Sequence, residues 1–453
     1  MTRMACALLG TALLMPLAAQ QADSQKPEEA KKEQKKAQKK AKKTAGAPKS
    51  GETAAPERRR IRFVFTPTTK RPSFRWRGVI RADFRVKMQS DFRHFDPELE
   101  HDLFSFNRRR IGIQGTFLRD FEFEVERELR VTDIPWKDVY VNFNRFRRFQ
   151  IQGGRFKVPF SYDQLTGHTD LDFVYRSRIA DQLAPGRDLG LMAHGRLFNR
   201  RLRYYGGLFR EDGDNSRLDN NVGSGERTFA GRVTGTPLSL LPVPKPLKTA
   251  EFGVSVLSTA LPQGLKGLRG RTAIHEDWWE RYFVHGQRRR LGLEFVWMPG
   301  PFSLKGEYIT VSDQRIGQAL RGTDLPDLQS RGWYASGTWC LTGEPKAGDI
   351  VPRKAFISGR GIGAIEIGVR WEAMRFGSAE HIGTRSRGTR SANLIGNSER
   401  AWTFGVNWYL NRWSKIQYNA IRETIEDFRQ PRRVPIPNER LYWLHAVRLQ
   451  FAL

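Results

Sequence analysis

The chain has 453 residues, with 77 Lys/Arg against 48 Asp/Glu, a formal net charge of +29 and 39% hydrophobic residues. Its mean hydropathy is −0.57, and beyond the N-terminus no segment supplies the ~20 mostly apolar residues of a spanning helix, which excludes a helical membrane protein. A membrane β-barrel is not excluded, because only alternate residues of its strands face lipid.

In chain order, residues 1–22 read as a secretory signal peptide: Arg3, then an apolar run, then small residues at Ala18, Ala19 and Ala22. Export makes nucleic acid an improbable partner for so basic a chain, and leaves small anions, phosphorylated solutes and anionic lipid head groups. One cysteine, Cys340, lies beyond the leader that contains Cys6, so no disulfide within the mature chain is expected. Residues 23–71 read as a Lys-rich periplasmic tether, solvated and self-repelling, whose conceivable partner is the cell wall. Within it, residues 26–60 carry thirteen Lys/Arg against five acids.

Residues 72–453 predict an all-β fold, a transmembrane antiparallel β-barrel of about 16 strands. Alternating segments fall near 73–90, 104–118, 120–132, 137–145, 147–160, 187–198, 200–211 and 227–237. They continue at 249–260, 288–298, 301–312, 331–342, 361–376, 400–410, 413–425 and 440–453. Successive strand side chains point to opposite faces, so Trp402, Phe404, Val406 and Trp408 would share one face, and Thr403, Gly405 and Asn407 the other. Tight turns such as Met298-Pro299-Gly300-Pro301 alternate with long connections such as 161–186 and 377–399. Short periplasmic turns and long extracellular loops are the arrangement of an outer-membrane barrel. Connections 238–248 and 343–360 break that rule, being long where short turns are expected.

In the first segment, Arg75, Arg77, Arg81, Arg85 and Lys87 alternate with Phe74, Trp76, Ile80, Phe84 and Val86, giving one cationic and one greasy face. Parity nominates those five, with Arg110, Arg155 and Lys157, as pore-lining, anion-binding residues; Arg196, Arg203, Arg232, Arg290 and Arg370 follow on the same ground. A planar guanidinium binds oxyanions bidentately and stays charged. Glu122, Glu124, Glu126 and Glu128 are available to neutralise some of these cations. No catalytic constellation, cofactor motif or metal-ligand spacing is found. The crowd of His94, Asp96, Glu98, Glu100, His101 and Asp102 reads as a solvated loop tip.

Several strings together resemble the phosphate-selective porin O and P family. These are Gly154-Arg155-Phe156-Lys157-Val158-Pro159-Phe160, Asp172-Phe173-Val174-Tyr175-Arg176-Ser177, Pro299 to Tyr308, Gly363-Ala364-Ile365-Glu366, and Gly405 to Asn411. The resemblance implies a trimeric sixteen-stranded outer-membrane porin of a Gram-negative-type bacterium, with the loop at about 161–186 folded inward. It also implies Arg176 as the arginine of that loop. Phosphate-type members carry lysines just after the Pro-Phe step, and Ser161 to Thr169 has none. The expected function is an anion-selective porin passing phosphate or related oxyanions through an arginine-lined pore, without catalysis or cofactor. The alternatives are a general anion porin, or a structural or adhesion barrel.

Overall fold

The computed structural model describes residues 62–66, 71–96, 103–130, 132, 134–214, 227–273, 277–357, 359–425 and 441–453. The expected signal peptide, most of the tether and residues 97–102 of the acidic loop lie outside these. Two strands precede the wall, β1 (Arg62–Thr66) and β2 (Arg71–Trp76), paired antiparallel. The wall begins with β3 (Ile80–Asp96), β4 (Leu103–Phe117), β5 (Phe121–Glu128), β6 (Trp136–Phe146), β7 (Phe149–Lys157), β8 (Arg187–Leu197), β9 (Leu202–Phe209) and β10 (Arg227–Gly235). After β11 (Glu251–Gly264) a small hairpin intervenes, β12 (Gly270–Arg271) with β13 (Asp277–Trp279). The wall resumes with β14 (Val284–Trp297), β15 (Phe302–Arg315), β16 (Leu325–Cys340) and β17 (Ala364–Ser378). A short parallel pair, β18 (Arg385–Ser386) and β19 (Asn393–Leu394), precedes β20 (Asn397–Tyr409), β21 (Ser414–Ile425) and β22 (Leu441–Ala452).

Neighbouring wall strands pair antiparallel, and β22 pairs with β3 from Ala452↔Lys87 to Trp443↔Asp96, closing the barrel. Sixteen strands therefore form a wall without an edge, the closure that lets a sheet cross a membrane. The two faces follow the alternation. In β20, Trp402, Phe404 and Val406 are exposed on the outside, while Thr403, Gly405 and Asn407 are buried on the inside.

The structure departs from the sequence reading at the first strand. The chain turns at Arg77-Gly78-Val79, with φ +48° at Arg77 and +65° at Gly78. Arg75 therefore belongs to β2, opposite Arg81 of β3, rather than to one strand continuous with Lys87. Periodicity missed this because the odd-even pattern resumes in phase after the turn. The two long connections have structure of their own. One holds two 3-10 turns, Pro237–Leu240 and Lys245–Thr249; the other, 341–363, places Lys346 in a buried position.

The interior is filled from one side by the segment between β7 and β8. It contains two short helices, α1 (Tyr162–Leu165) and α2 (Arg178–Gln182), capped by the Ser161 and Ser177 hydroxyls. Ile179 and Leu183 are fully buried against an apolar cluster that includes Trp278, Trp279, Tyr282 and Phe376. Gly332 of β16 makes room: a Cβ there would stand 2.5 Å from the Ile179 side chain.

Candidate constriction and its charges

The inward loop lies along the wall, held by side chains that substitute for a strand partner. Gln89 donates to the His168 carbonyl at 3.2 Å, and Gln450 to the Thr169 carbonyl at 3.0 Å. Lys415 donates to the Thr169 and Leu171 carbonyls, both at 3.1 Å, and Asn407 to that of Asp172 at 2.8 Å. The Val174 amide donates to Asn419, and Arg448 donates to the Val174 carbonyl while gripping Asp91 with two nitrogens. Arg370 reaches the Tyr175 and Arg176 carbonyls. At the helices, Glu307 accepts from the Tyr162 and Asp163 amides, and Asp163 accepts from the Ser177 amide and hydroxyl. Each contact satisfies a loop backbone group that would otherwise be buried unpaired, at a cost of about 1–3 kcal/mol.

Between this loop and the β3–β7 side of the wall, acids of β5 meet cations of β3 and β4. Arg85 pairs with Glu124, Lys87 with Glu126 at 2.5 Å, and Arg110 with Glu126 at 3.1 Å and Glu128 at 2.9 Å. Arg187 pairs with Asp138 at 2.7 Å. Three cations differ. Arg108 donates to the Gln89 side-chain carbonyl at 2.7 Å, and Lys157 to the Leu165 and Thr166 carbonyls at 3.0 and 2.8 Å. Arg176 donates to the Thr166 carbonyl at 2.6 Å and lies 3.5 Å from His168 Nδ1; its Nη1 is buried without a hydrogen-bond partner. Among the described residues none of the three is in an ion pair with a carboxylate, so their charges are not neutralised by direct contact. His168 sits among them: burial, then Arg108, Arg176, Arg110 and Lys157, holds its imidazole well below the ordinary histidine range.

On the side of the tight turns, a cavity of about 420 Å³ opens below the loop, lined by seven Lys/Arg and three Asp. Arg85, Lys87 and Lys415 project into it. Lys305 and Lys346 also line it but share Asp172, at 2.7 and 2.8 Å.

The nominated residues therefore separate. Lys87, Arg110, Lys157 and Arg176 come together around the loop, and Arg85 joins them through Glu124 and Glu126. Arg81 is held by Asp83 at 2.5 Å with 41% of its side chain exposed. Arg75 and Arg77 sit on the hairpin before the wall, both exposed, with Arg77 over the Trp76 ring; they do not line the barrel. Arg155 makes none of the loop contacts of Lys157. In register it pairs with Leu189, an outward residue 48% exposed, and it bonds to the Trp136 carbonyl and Asp214.

Sequence reasoning missed Arg108, which shares the inward phase of Arg110, because the outward Phe104 and Phe106 stand on the same even positions until a bulge at Asn107 changes the phase. The register jumps from Gln89↔Arg108 to Ser90↔Phe106, so Asn107 and Arg108 both reach inward, to Asp91 and Gln89. It also missed Lys305 and Lys415, for which a lumen parity test of the later strands was the available signal, and Lys346, which lies in the connection 341–363 where strand parity gives none.

A closed sixteen-stranded antiparallel wall with an apolar exterior and an inward loop defines an outer-membrane porin, and it places the protein in the outer membrane of a Gram-negative bacterium. Residues 80–453 match the family described as phosphate-selective porin O and P, and the chain belongs to that family. Porin O of Pseudomonas aeruginosa is 30% identical over 131 residues, 28% of this chain and 27% of that protein. The aligned stretch thus spans about a quarter of the relative's length. OmpT of Vibrio cholerae, expressed in the outer membrane, superposes with a TM-score of 0.51 at 8% identity, covering 83% of this chain and 98% of that one. A trimer form of in-vitro folded OmpT superposes with a TM-score of 0.50 at 8% identity, covering 82% and 99%.

Proposed function

We propose that the protein is a passive, anion-selective channel whose preferred solutes are phosphate or related oxyanions. The observation that carries this is the convergence of Arg108, Lys157 and Arg176 on the inward loop with only neutral acceptors as partners. An anion in a narrow pore loses hydration, a cost that fixed cations offset. Paired cations such as Lys87 and Arg110 contribute little net field, whereas the unpaired set raises local anion concentration. Lys157 also bears on the missing lysines of Ser161–Thr169, because it delivers an ammonium to that loop from β7. The mechanism needs no chemistry: attraction, partial dehydration against the guanidinium and ammonium donors, and release into the cationic cavity below. Assembly as a homotrimer in outer-membrane lipid is part of the proposal, supported by the family and by the trimer form of OmpT.

The test is chloride conductance in planar bilayers with inorganic phosphate added. Reduced chloride current at low phosphate is expected of an oxyanion-preferring pore. Chloride current indifferent to phosphate would reduce the protein to a general anion porin.

A further inference from the structure

Many of the arginines left unused by the pore share one position on the outside of the barrel. On β16 the outward face reads Trp339, Gly337, Ala335, Trp333 and then Arg331; on β17 it runs from Ile367, Val369, Trp371 and Ala373 to Arg375. On β20 it runs from Trp408 through Val406, Phe404 and Trp402 to Arg400, and on β21 from Ile416 through Tyr418 and Ala420 to Arg422. In β14, Arg289 closes the same kind of run above Trp297. In β14, β16 and β20 the arginine stands eight residues above the outward tryptophan at the tight-turn end, close to the roughly 9–11 residues of a membrane-spanning strand. These arginines therefore mark where the wall leaves the outer leaflet.

Three features give the row a ligand. Arg331 and Arg375 are directly opposite in register, and all four arginines of β16–β21 are exposed. Like charges so placed are unfavourable unless a counter-anion lies between them. Arg331, Arg375 and Arg422 form no ion pair among the described residues. Just below, Trp333, Trp371 and Trp402 form a continuous aromatic row, with ring centroids 4.8 and 5.2 Å apart, as at a lipid–water boundary.

We propose that this face is a binding site for a phosphate-bearing, acylated lipid of the outer leaflet. Its phosphates lie on Arg331, Arg375, Arg400 and Arg422, and its acyl chains lie over the row of Trp333, Trp371 and Trp402. The site commits to a lipid rather than a free anion because polar and apolar halves are stacked in the order of an amphiphile, facing away from the lumen. A second copy of the chain would have to bury the same guanidiniums, and Asp327, the acid on the outward face of β16, already accepts from the Ser312 hydroxyl.

The test uses the full-length protein, delipidated and placed in phosphatidylcholine nanodiscs containing bis-phosphorylated lipid A, with retained lipid counted by native mass spectrometry. Wild type is expected to retain lipid A, and a combined Arg331→Gln, Arg375→Gln and Arg422→Gln variant to bind it at least about tenfold more weakly. Dephosphorylated lipid A should show the same loss on wild type. The control removes three arginines of the tight turns (Arg119, Arg147 and Arg148, each to Gln) and should retain lipid A. Unaltered heat-modifiable mobility and conductance report that the triple variant is folded; if it is not, the three single variants are measured instead. Undiminished binding by the folded variants, equal retention of the dephosphorylated lipid, or dissociation of the oligomer on substitution would each overturn the proposal, the last by assigning the face to another copy.

Discussion

Lys346 donates to Asp172 at 2.8 Å, joining the long connection 341–363 to the middle of the inward loop. Lys305 of β15 donates to the other carboxylate oxygen at 2.7 Å, and Lys346 also reaches Glu366. Burial alone would raise the Asp172 carboxyl, but the two ammoniums outweigh it and hold the group well below the usual carboxylate range. A connection that is too long for a simple turn thus supplies a fixing point for the loop.

Replacing Asp172 by Asn leaves Lys305 buried without its carboxylate, and breaking such a contact costs about 3 kcal/mol. The expected outcome is lower thermal stability with a wider or noisier channel, read from melting and single-channel conductance. The Asp172 carboxyl is depressed, so its stabilisation is complete above about pH 4 and lost as pH falls further. Acidification within the range above that should therefore leave this anchor intact.

Lys157→Gln and Arg108→Gln each remove a charge that has only neutral partners, so neither leaves a carboxylate unpaired. Anion-over-cation permeability is expected to fall several-fold in each, with little change in stability. Arg110→Gln behaves differently, because Glu126 and Glu128 lose their partner. It should destabilise the barrel as well as move selectivity, and comparison of melting temperatures checks the distinction.

His168 is held neutral by burial and its cationic neighbours. Its folded value lies below that of the unfolded chain, about 6.5. The unfolded state therefore takes up the proton first, and stability from this group is complete above that pH and declines as pH falls below it. His168→Gln should flatten the fall in melting temperature between neutral and mildly acidic pH; an unchanged slope would remove His168 from the account.

Arg75→Gln and Arg77→Gln lie on the hairpin outside the wall. They should leave reversal potential and conductance unchanged, in contrast to Lys157→Gln. A shift as large as that of the lumen variants would bring the hairpin into the conduction path.

The wall was legible because a barrel strand must alternate, and each of the sixteen segments read from parity corresponds to a wall strand. Parity carries no information about turns that preserve phase, which is why Arg75 and Arg77 were assigned to the wall. It also gives conflicting phases across the bulge at Asn107, where Phe106 is outward and Arg108 inward, and it does not decide the outer end of β7, where Arg155 and Lys157 share parity but only Lys157 bonds to the inward loop. Pairing is invisible in one dimension. That Glu126 would neutralise Lys87 and Arg110 while Lys157 met only carbonyls depends on register and on the path of the loop. The outward arginines were counted in the net charge, but their common level emerges only when the strands stand side by side.

The most direct test is the zero-current potential of the purified protein in a planar bilayer under a KCl gradient, for wild type and for the Arg108→Gln/Lys157→Gln double variant. The account predicts a potential of anion-selective sign in wild type that moves toward zero in the variant. Cation selectivity, or a potential that the double substitution leaves untouched, would contradict it.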